Sequence, residues 1–194
     1  MAAGRPGGLE PAEGRILVAT PVIGDDNFSR TVVLLLEHEH EAGTLGVVLN
    51  RPTDLPVHDA IPSWAGSRLT PPDVLFTGGP VAEGSALGLA LLDHEGTAPT
   101  GLTAVFDRLA VVDLEADPAS LQVAVERLRI YSGYAGWGPG QLQGELRAGA
   151  WWVFDSLPQD WFSAEPTDLW STVLRRQGGR WRMWAAAPDD PSVN

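Results

Sequence analysis

The feature that most constrains this chain is a glycine-rich stretch at residues 132–146, which reads Ser-Gly-Tyr-Ala-Gly-Trp-Gly-Pro-Gly-Gln-Leu-Gln-Gly-Glu-Leu. Glycine allows two backbone segments to approach where a Cβ atom would clash. The five glycines around Tyr134 and Trp137 therefore predict a tightly folded loop with both rings packed inward. Pro139 suits the start of a helix, because the first helical N–H has no partner anyway. Leu142 and Leu146 would then face the core.

Composition excludes several classes of protein. The 194 residues, 44% of them hydrophobic, are enough for one domain with a proper core. There is no cysteine, which excludes disulfides and thiol catalysis. There is also no lysine, which excludes a lysine-bearing phosphate loop, a kinase lysine and pyridoxal phosphate chemistry. The net charge of −12 opposes binding of nucleic acid or anionic lipid by the molecule as a whole.

We expect a single domain over residues 14–187, between a disordered arm at residues 1–13 and a disordered tail at residues 188–194. The arm is small, polar and rich in glycine and proline, without the apolar centre of a signal peptide. No apolar run approaches the roughly 18 residues that cross a membrane. The default expectation is a cytoplasmic protein without membrane contact.

Short apolar, β-branched runs predict strands. The predicted strands are residues 15–19, 31–37, 44–50, 74–76, 87–92, 102–105, 109–112, 151–154 and 180–186. Residues 31–37 are apolar almost throughout, which indicates a central strand buried on both faces. This strand and residues 44–50 are expected to form a hairpin.

Helices are predicted at residues 57–61, at residues 117–131 and at residues 169–177. Asp117 and Pro118 form a strong helix start, and the following leucines and valines recur at helical spacing. Four arginines lie close together near the end of the chain, at positions 175, 176, 180 and 182. We interpret them as a basic helix end and one face of a strand, with an anion-binding patch as the alternative.

Four blocks, in order, resemble the YqgE/AlgH family of bacterial proteins. They are Gly-Arg-Ile-Leu-Val-Ala-Thr-Pro at residues 14–21, Gly-Val-Val-Leu-Asn-Arg-Pro at 46–52, Gly-Gly-Pro-Val at 78–81, and the glycine/tryptophan stretch through Trp151. The family often has isoleucine where this chain has Leu49. The resemblance implies an α+β fold: a mixed, strongly curved, bifurcated sheet that forms a pseudo-barrel with about three flanking helices.

The same resemblance implies little about function. One branch of the family is named for a link to regulation of alginate synthesis, and a transcriptional-regulator label spread from it. No established catalytic residues come with the family. Because the chain is acidic and lacks a clear pair of DNA-recognition helices, we do not expect direct nucleic-acid binding. We interpret it as a non-enzymatic regulatory or interaction protein with a protein partner and no cofactor.

The alternative is an enzyme or binder of a small anionic ligand that uses Asn50, Arg51, Gly78, Gly79 and His38. Arg51 could hold a carboxylate or phosphate through both arms of its guanidinium group. It could equally pair with an internal carboxylate such as Asp25 or Asp59. The Gly78-Gly79 turn could present backbone N–H groups to an anion, or could simply be a tight turn that needs glycine.

A metal site is a further possibility for His38 and His40, which lie two residues apart among Glu37, Glu39 and Glu41. The plainer interpretation is a solvated, charged hairpin loop. We favour the loop and expect no bound metal, because structural metal sites usually draw ligands from more than one segment.

Overall fold

The computed structural model describes residues 8–95, 98–121 and 124–186. Its strands are β1 (Arg15–Ala19), β2 (Val32–Glu39), β3 (Gly43–Val48), β4 (Pro52–Pro56), β5 (Val74–Thr77), β6 (Val81–Leu92), β7 (Leu102–Phe106), β8 (Leu109–Val112), β9 (Val125–Trp137) and β10 (Trp151–Asp155). Its helices are α1 (Val57–Ala60), α2 (Pro118–Leu121), α3 (Gln141–Arg147), α4 (Pro158–Trp161), α5 (Leu169–Gln177) and α6 (Gly179–Trp184).

One strongly curled sheet organises the molecule, with the strand order β10-β1-β2-β3-β9-β6-β8-β7. β5 lies off this path: it pairs with β4 antiparallel and with β9 in parallel. β9 pairs antiparallel with both β3 and β6, so it joins the two halves of the sheet. The fold is therefore α+β, a half-barrel of mostly antiparallel strands with a few short helices, which confirms the expected class.

β2 is the central strand that the sequence predicted. Val32, Leu34 and Leu36 belong to one buried cluster on one face. Val33 and Leu35 point to the other face and belong to a second buried cluster. β2 and β3 form the predicted hairpin. Most other predicted strands are confirmed with small shifts at their ends, although β6 begins six residues earlier than predicted, at Val81.

The helix predicted over residues 117–131 is wrong beyond Leu121, because β9 begins at Val125. Residues 122 and 123 lie outside the described residues. Leu128 and Ile130 alternate onto one buried face of β9, while Tyr131 packs in the cluster on the other face. Arg129 is also buried, at 1% exposure. A polar residue at a buried position hides the strand pattern, and the remaining leucine and valine spacing then imitates a helix.

The tightly folded loop predicted at the start of the glycine-rich stretch is also wrong. β9 continues through these glycines to Trp137, so the chain stays extended instead of folding onto itself. Trp137 is buried as expected, while Tyr134 is half-buried. The helix expected from Pro139 begins at Gln141, and its Leu142 is buried.

The last predicted strand, residues 180–186, is also wrong: the structure has α6 there. Trp181 packs edge-on against Phe154, with the ring centroids 5.5 Å apart. Ala185, four residues later, is buried in the same cluster. Alternation and helical spacing both bring these two residues to one side, so the short pattern did not distinguish strand from helix.

Glu145, near the end of the glycine-rich stretch, links two of the buried tryptophans. Its Oε2 atom accepts hydrogen bonds from Trp137 Nε1 at 2.9 Å and from Trp151 Nε1 at 2.8 Å. The two indole rings lie 6.0 Å apart, and the ring of Phe28 contacts both. One carboxylate thus ties the end of β9 to the start of β10.

Residues near the N-terminus cover the outer edge of β10. Gly8 forms a parallel bridge with Val153, and the Leu9 N–H donates to the Val153 oxygen at 3.0 Å. Arg15 Nη1 donates to the Glu10 carbonyl at 2.6 Å. Of the arm predicted at residues 1–13, Gly8 and Leu9 therefore pair with β10 and Glu10 is held by Arg15, while residues 1–7 lie outside the described residues. The predicted tail at residues 188–194 also lies outside them.

Three glycines allow two backbone segments to cross in contact. A Cβ atom on Gly78 would lie 2.2 Å from the Gly133 oxygen, and one on Gly79 would lie 2.3 Å from the Tyr134 carbonyl carbon. Gly133 has a left-handed φ of 69°, and its Cβ would lie 2.5 Å from the Gly79 oxygen. These distances leave no room for a side chain, so the Gly78-Gly79 turn has a packing role.

We expect Gly133→Ala to lower the free energy of unfolding by at least about 2 kcal/mol, because the methyl group meets backbone and the φ angle is left-handed. Gly136→Ala in the same strand is the matched control. Its Cβ would meet Tyr134 and Val81 side chains at an ordinary 3.6 Å, so its stability should change little. Urea unfolding followed by tryptophan fluorescence measures the stability of both variants. Equal unfolding midpoints would contradict the close backbone contact at Gly133.

Candidate functional site

The candidate site is a solvent-open groove of about 590 Å³ at the corner where the chain enters β2 and leaves β3. We call it the arginine groove. The residues that line it are Ser29, Arg30, Asn50, Arg51, Thr167, Asp168, Trp170, Ser171, Arg175 and Ala185. Two of the predicted site residues, Asn50 and Arg51, are thus brought together with residues from α5 and from the end of α6.

Asn50 is a buried clamp on the corner before β2. Its Oδ1 atom accepts the Val32 N–H at 2.8 Å, and its Nδ2 atom donates to the Arg30 carbonyl at 2.9 Å. The amide therefore holds the backbone on both sides of Thr31. Only a side chain that carries both an acceptor and a donor can make these two bonds at once.

Arg51 is half-buried, and its Nη2 atom donates to the Ser29 carbonyl at 2.7 Å. The carboxylates considered as internal partners are engaged elsewhere. Asp25 accepts hydrogen bonds from the backbone N–H groups of Asn27 and Phe28. The Oδ1 atom of Asp59 lies 3.4 Å from the Nε2 atom of His58. Arg51 therefore binds the corner before β2 through an uncharged carbonyl group, and its positive charge lies at the groove.

Arg30 and Trp170 are groove residues that the sequence analysis missed. Arg30 has a left-handed φ of 54°, which is uncommon for a residue with a side chain. Its guanidinium carbon lies 4.3 Å from the Trp170 ring centroid. Trp170 is itself fixed, because it is buried and its Nε1 atom donates to the Ala19 carbonyl at 2.9 Å. No local motif marks such a pair, because its members are 140 positions apart in the sequence.

Arg175 belongs to the basic cluster near the end of the chain and completes the groove. It lies in the last turn of α5, as the interpretation of a basic helix end required, and donates to Ser171 Oγ at 2.8 Å. Its neighbour Arg176 turns away from the groove and forms two 2.8 Å hydrogen bonds with the buried carboxylate of Asp160.

Gly78 and Gly79 directly follow the residue that pairs with the Arg51 backbone. The Thr77 N–H donates to the Arg51 carbonyl at 2.8 Å, so the two strand ends do meet. The Gly78 N–H, however, donates to the Ser132 carbonyl at 2.8 Å. Both glycines are buried against β9 and are not among the residues that line the arginine groove.

His38 lies at the opposite end of β2 from the groove. Its Nδ1 atom is 2.7 Å from Thr44 Oγ1, and partial burial together with the nearby His40 lowers the pKa of His38. The described residues include no group of three or more His, Asp or Glu side chains placed to hold a metal ion.

Arg129 is a second charged residue that the sequence analysis missed. Its Nη2 atom donates to the carbonyls of Pro71 at 3.0 Å and Ser163 at 2.8 Å, and its guanidinium lies over the Phe76 ring. Burial lowers the pKa of Arg129 and raises the pKa of the neighbouring Tyr131 to about 12. These contacts tie β9 to the loops around it, away from the arginine groove.

Two apolar side chains of α6 are prominent at the surface. Met183 is 73% exposed and Trp184 is 42% exposed. Exposed apolar side chains are common on protein surfaces, and the expected protein partner stays a prediction.

Within the described ranges, none of the helices is long and apolar enough to cross a membrane.

We expect Asn50→Ala to destabilise the protein by about 2–4 kcal/mol, because it removes two hydrogen bonds and leaves the buried Val32 N–H unpaired. Asn27→Ala is the control, since Asn27 is exposed and the same atoms are removed. Urea denaturation measures both variants. A loss no larger than that of the control would mean that the clamp does not hold the corner.

Comparisons with known proteins agree on one family. The AlgH-like family profile matches residues 16–182. A UPF0301 protein of Streptomyces coelicolor is 53% identical over 184 residues, which cover 93% of this chain and 94% of that protein. A UPF0301 protein of Mycobacterium tuberculosis is 44% identical over 185 residues, which cover 93% and 90%.

Two solved structures share the fold. The crystal structure of a Corynebacterium diphtheriae protein has a TM-score of 0.85 at 35% identity and covers 93% of this chain and 94% of its own. The solution structure of the AlgH protein from Pseudomonas aeruginosa has a TM-score of 0.68 at 28% identity, covering 97% and 98%. Family profile, sequence and fold therefore lead to one conclusion: the chain belongs to the AlgH-like, UPF0301 family.

Proposed function

We propose that this protein binds a small, multiply charged anion in the arginine groove. The observation that carries the proposal is a local reversal of charge. Among the described residues that line the groove there are three arginines and one aspartate, whereas the whole chain has a net charge of −12. A concave site of one sign raises the local concentration of ions of the opposite sign.

The hydrogen bonds of Arg51 and Arg175 support this role. Each donates to a neutral oxygen, that of the Ser29 carbonyl or the Ser171 hydroxyl. Within the described part of the chain, neither forms an ion pair with a carboxylate. Their guanidinium groups retain N–H donors whose fork geometry matches the oxygens of phosphate and carboxylate groups.

The conformation of Arg30 supports it further. A left-handed backbone at a residue other than glycine costs free energy and persists only where surrounding contacts impose it. Here the imposing contact is the Asn50 amide, which binds the Arg30 carbonyl. The Trp170 ring then limits where the Arg30 guanidinium can lie. A side chain ordered before the ligand arrives loses less conformational entropy on binding.

We expect isothermal titration calorimetry to detect binding of inorganic pyrophosphate or citrate at low ionic strength, where charges are least screened. Arg175→Gln should weaken binding by about 10- to 100-fold, because a charged donor is lost. Arg30→Asn should also weaken binding, because it removes a guanidinium group from the groove. Asparagine is chosen because it tolerates the left-handed backbone at this position.

Arg127→Gln serves as the control, because Arg127 is exposed and lies in β9, away from the groove. It removes the same charge and should leave the affinity within about twofold after allowance for screening. Equal affinities for Arg175→Gln and the native protein, or no heat of binding with either anion, would overturn the proposal.

A further inference from the structure

Arg129 is a buried cation whose hydrogen bonds are only partly made within the described residues. It is 1% exposed, and its Nη2 atom donates to the carbonyls of Pro71 and Ser163. Its Nε and Nη1 atoms have no hydrogen-bond partner in the described part of the chain, and no carboxylate there pairs with it. Because arginine keeps its proton in proteins, a full positive charge lies in the interior and meets only neutral groups.

The hydroxyl of Tyr131 is a further buried donor beside Arg129. The two residues lie two positions apart on one face of β9, and both contact Phe76. The Arg129 guanidinium carbon is 4.3 Å from the Phe76 ring centroid, and the Tyr131 ring centroid is 5.7 Å from it. Tyr131 is fully buried, and its hydroxyl forms no hydrogen bond with a described residue.

The hydroxyl of Tyr131 does not supply the charge that would balance Arg129. Burial raises the pKa of Tyr131 to about 12, so at neutral pH the hydroxyl keeps its proton and is a donor. Buried polar groups in native proteins are almost always hydrogen-bonded, because an unpaired donor costs free energy. A water molecule would accept some of these donors but would bring no charge, whereas an anion both accepts the hydrogen bonds and balances the guanidinium group.

We propose that Arg129 and Tyr131 bind a monatomic anion, chloride, inside the half-barrel. The Nε–H and Nη1–H groups of Arg129 and the hydroxyl of Tyr131 donate to it. The burial of both residues restricts the site to a small ion, unlike the multiply charged ligand proposed for the arginine groove. Pro71 and Ser163, whose carbonyls bind Arg129, line a solvent-open groove, and the ion exchanges through that wall.

The test follows the thermal unfolding midpoint as chloride replaces gluconate at constant ionic strength, since gluconate is too large for a buried site. We expect the midpoint of the native protein to rise by about 3–6 °C when chloride reaches about ten times its dissociation constant. Tyr131→Phe removes only the hydroxyl and should weaken chloride binding by about 10-fold or more, because a hydrogen bond to a charged group is lost.

Tyr134→Phe is the matched control, because it removes the same hydroxyl from a half-buried tyrosine of the same strand and should keep the native response. The arginine groove does not include Tyr131, so an equal chloride response of Tyr131→Phe and the native protein would place any bound chloride elsewhere and overturn the proposal. A native midpoint that does not depend on chloride overturns it as well.

Crystals grown in sodium bromide give the direct check. We expect a bromide anomalous peak between the Arg129 guanidinium group and the Tyr131 hydroxyl. Electron density at that position without an anomalous signal would identify a water molecule, and the anion site would then be wrong.

Discussion

The half-barrel depends on one contact between two backbones, where the turn after β5 crosses β9. β9 receives β5 in parallel at Tyr131 and Ser132, and then β6 in the opposite direction from Tyr134. The chain must therefore reverse direction while touching β9. It can do so because Gly78, Gly79 and Gly133 have no side chains to separate the two segments. The sheet divides at this crossing, because β9 pairs with β5 before it and with β3 after it.

The arginine groove follows from the same arrangement. The segment after β3 is held beside the end of β5 by the bond from the Thr77 N–H to the Arg51 carbonyl. From this position Asn50 and Arg51 reach across to the corner before β2 and hold its backbone. Asn50 and Arg51, which the sequence suggested as ligand-binding residues, thus also stabilise the fold. The other two arginines that line the groove, Arg30 and Arg175, are brought there by the fold from distant positions in the sequence.

Local sequence was sufficient where one segment determines its own structure. The apolar run of β2, its hairpin with β3 and the helix at residues 169–177 all matched their patterns. It failed for β9, since the burial of Arg129 depends on carbonyls 34 and 58 residues away. Among the groove residues, the sequence analysis named Asn50 and Arg51 as ligand-binding candidates and Arg175 as part of a basic cluster. Arg30 carries no local signal, because its position depends on Asn50 and Trp170, which are remote in sequence.

The bridge between Gly8 and Val153 also bears on how the protein behaves at high concentration. β10 is a terminal strand of the sheet, and an uncovered terminal strand is a template for strands of other chains. Gly8 and Leu9 cover part of that edge, and a Cβ at position 8 would lie 2.2 Å from the Val153 oxygen. Gly8 and Leu9 thus block part of the edge at which a strand of another chain could pair. Protein shortened to begin at Gly14 would expose β10 and self-associate through it.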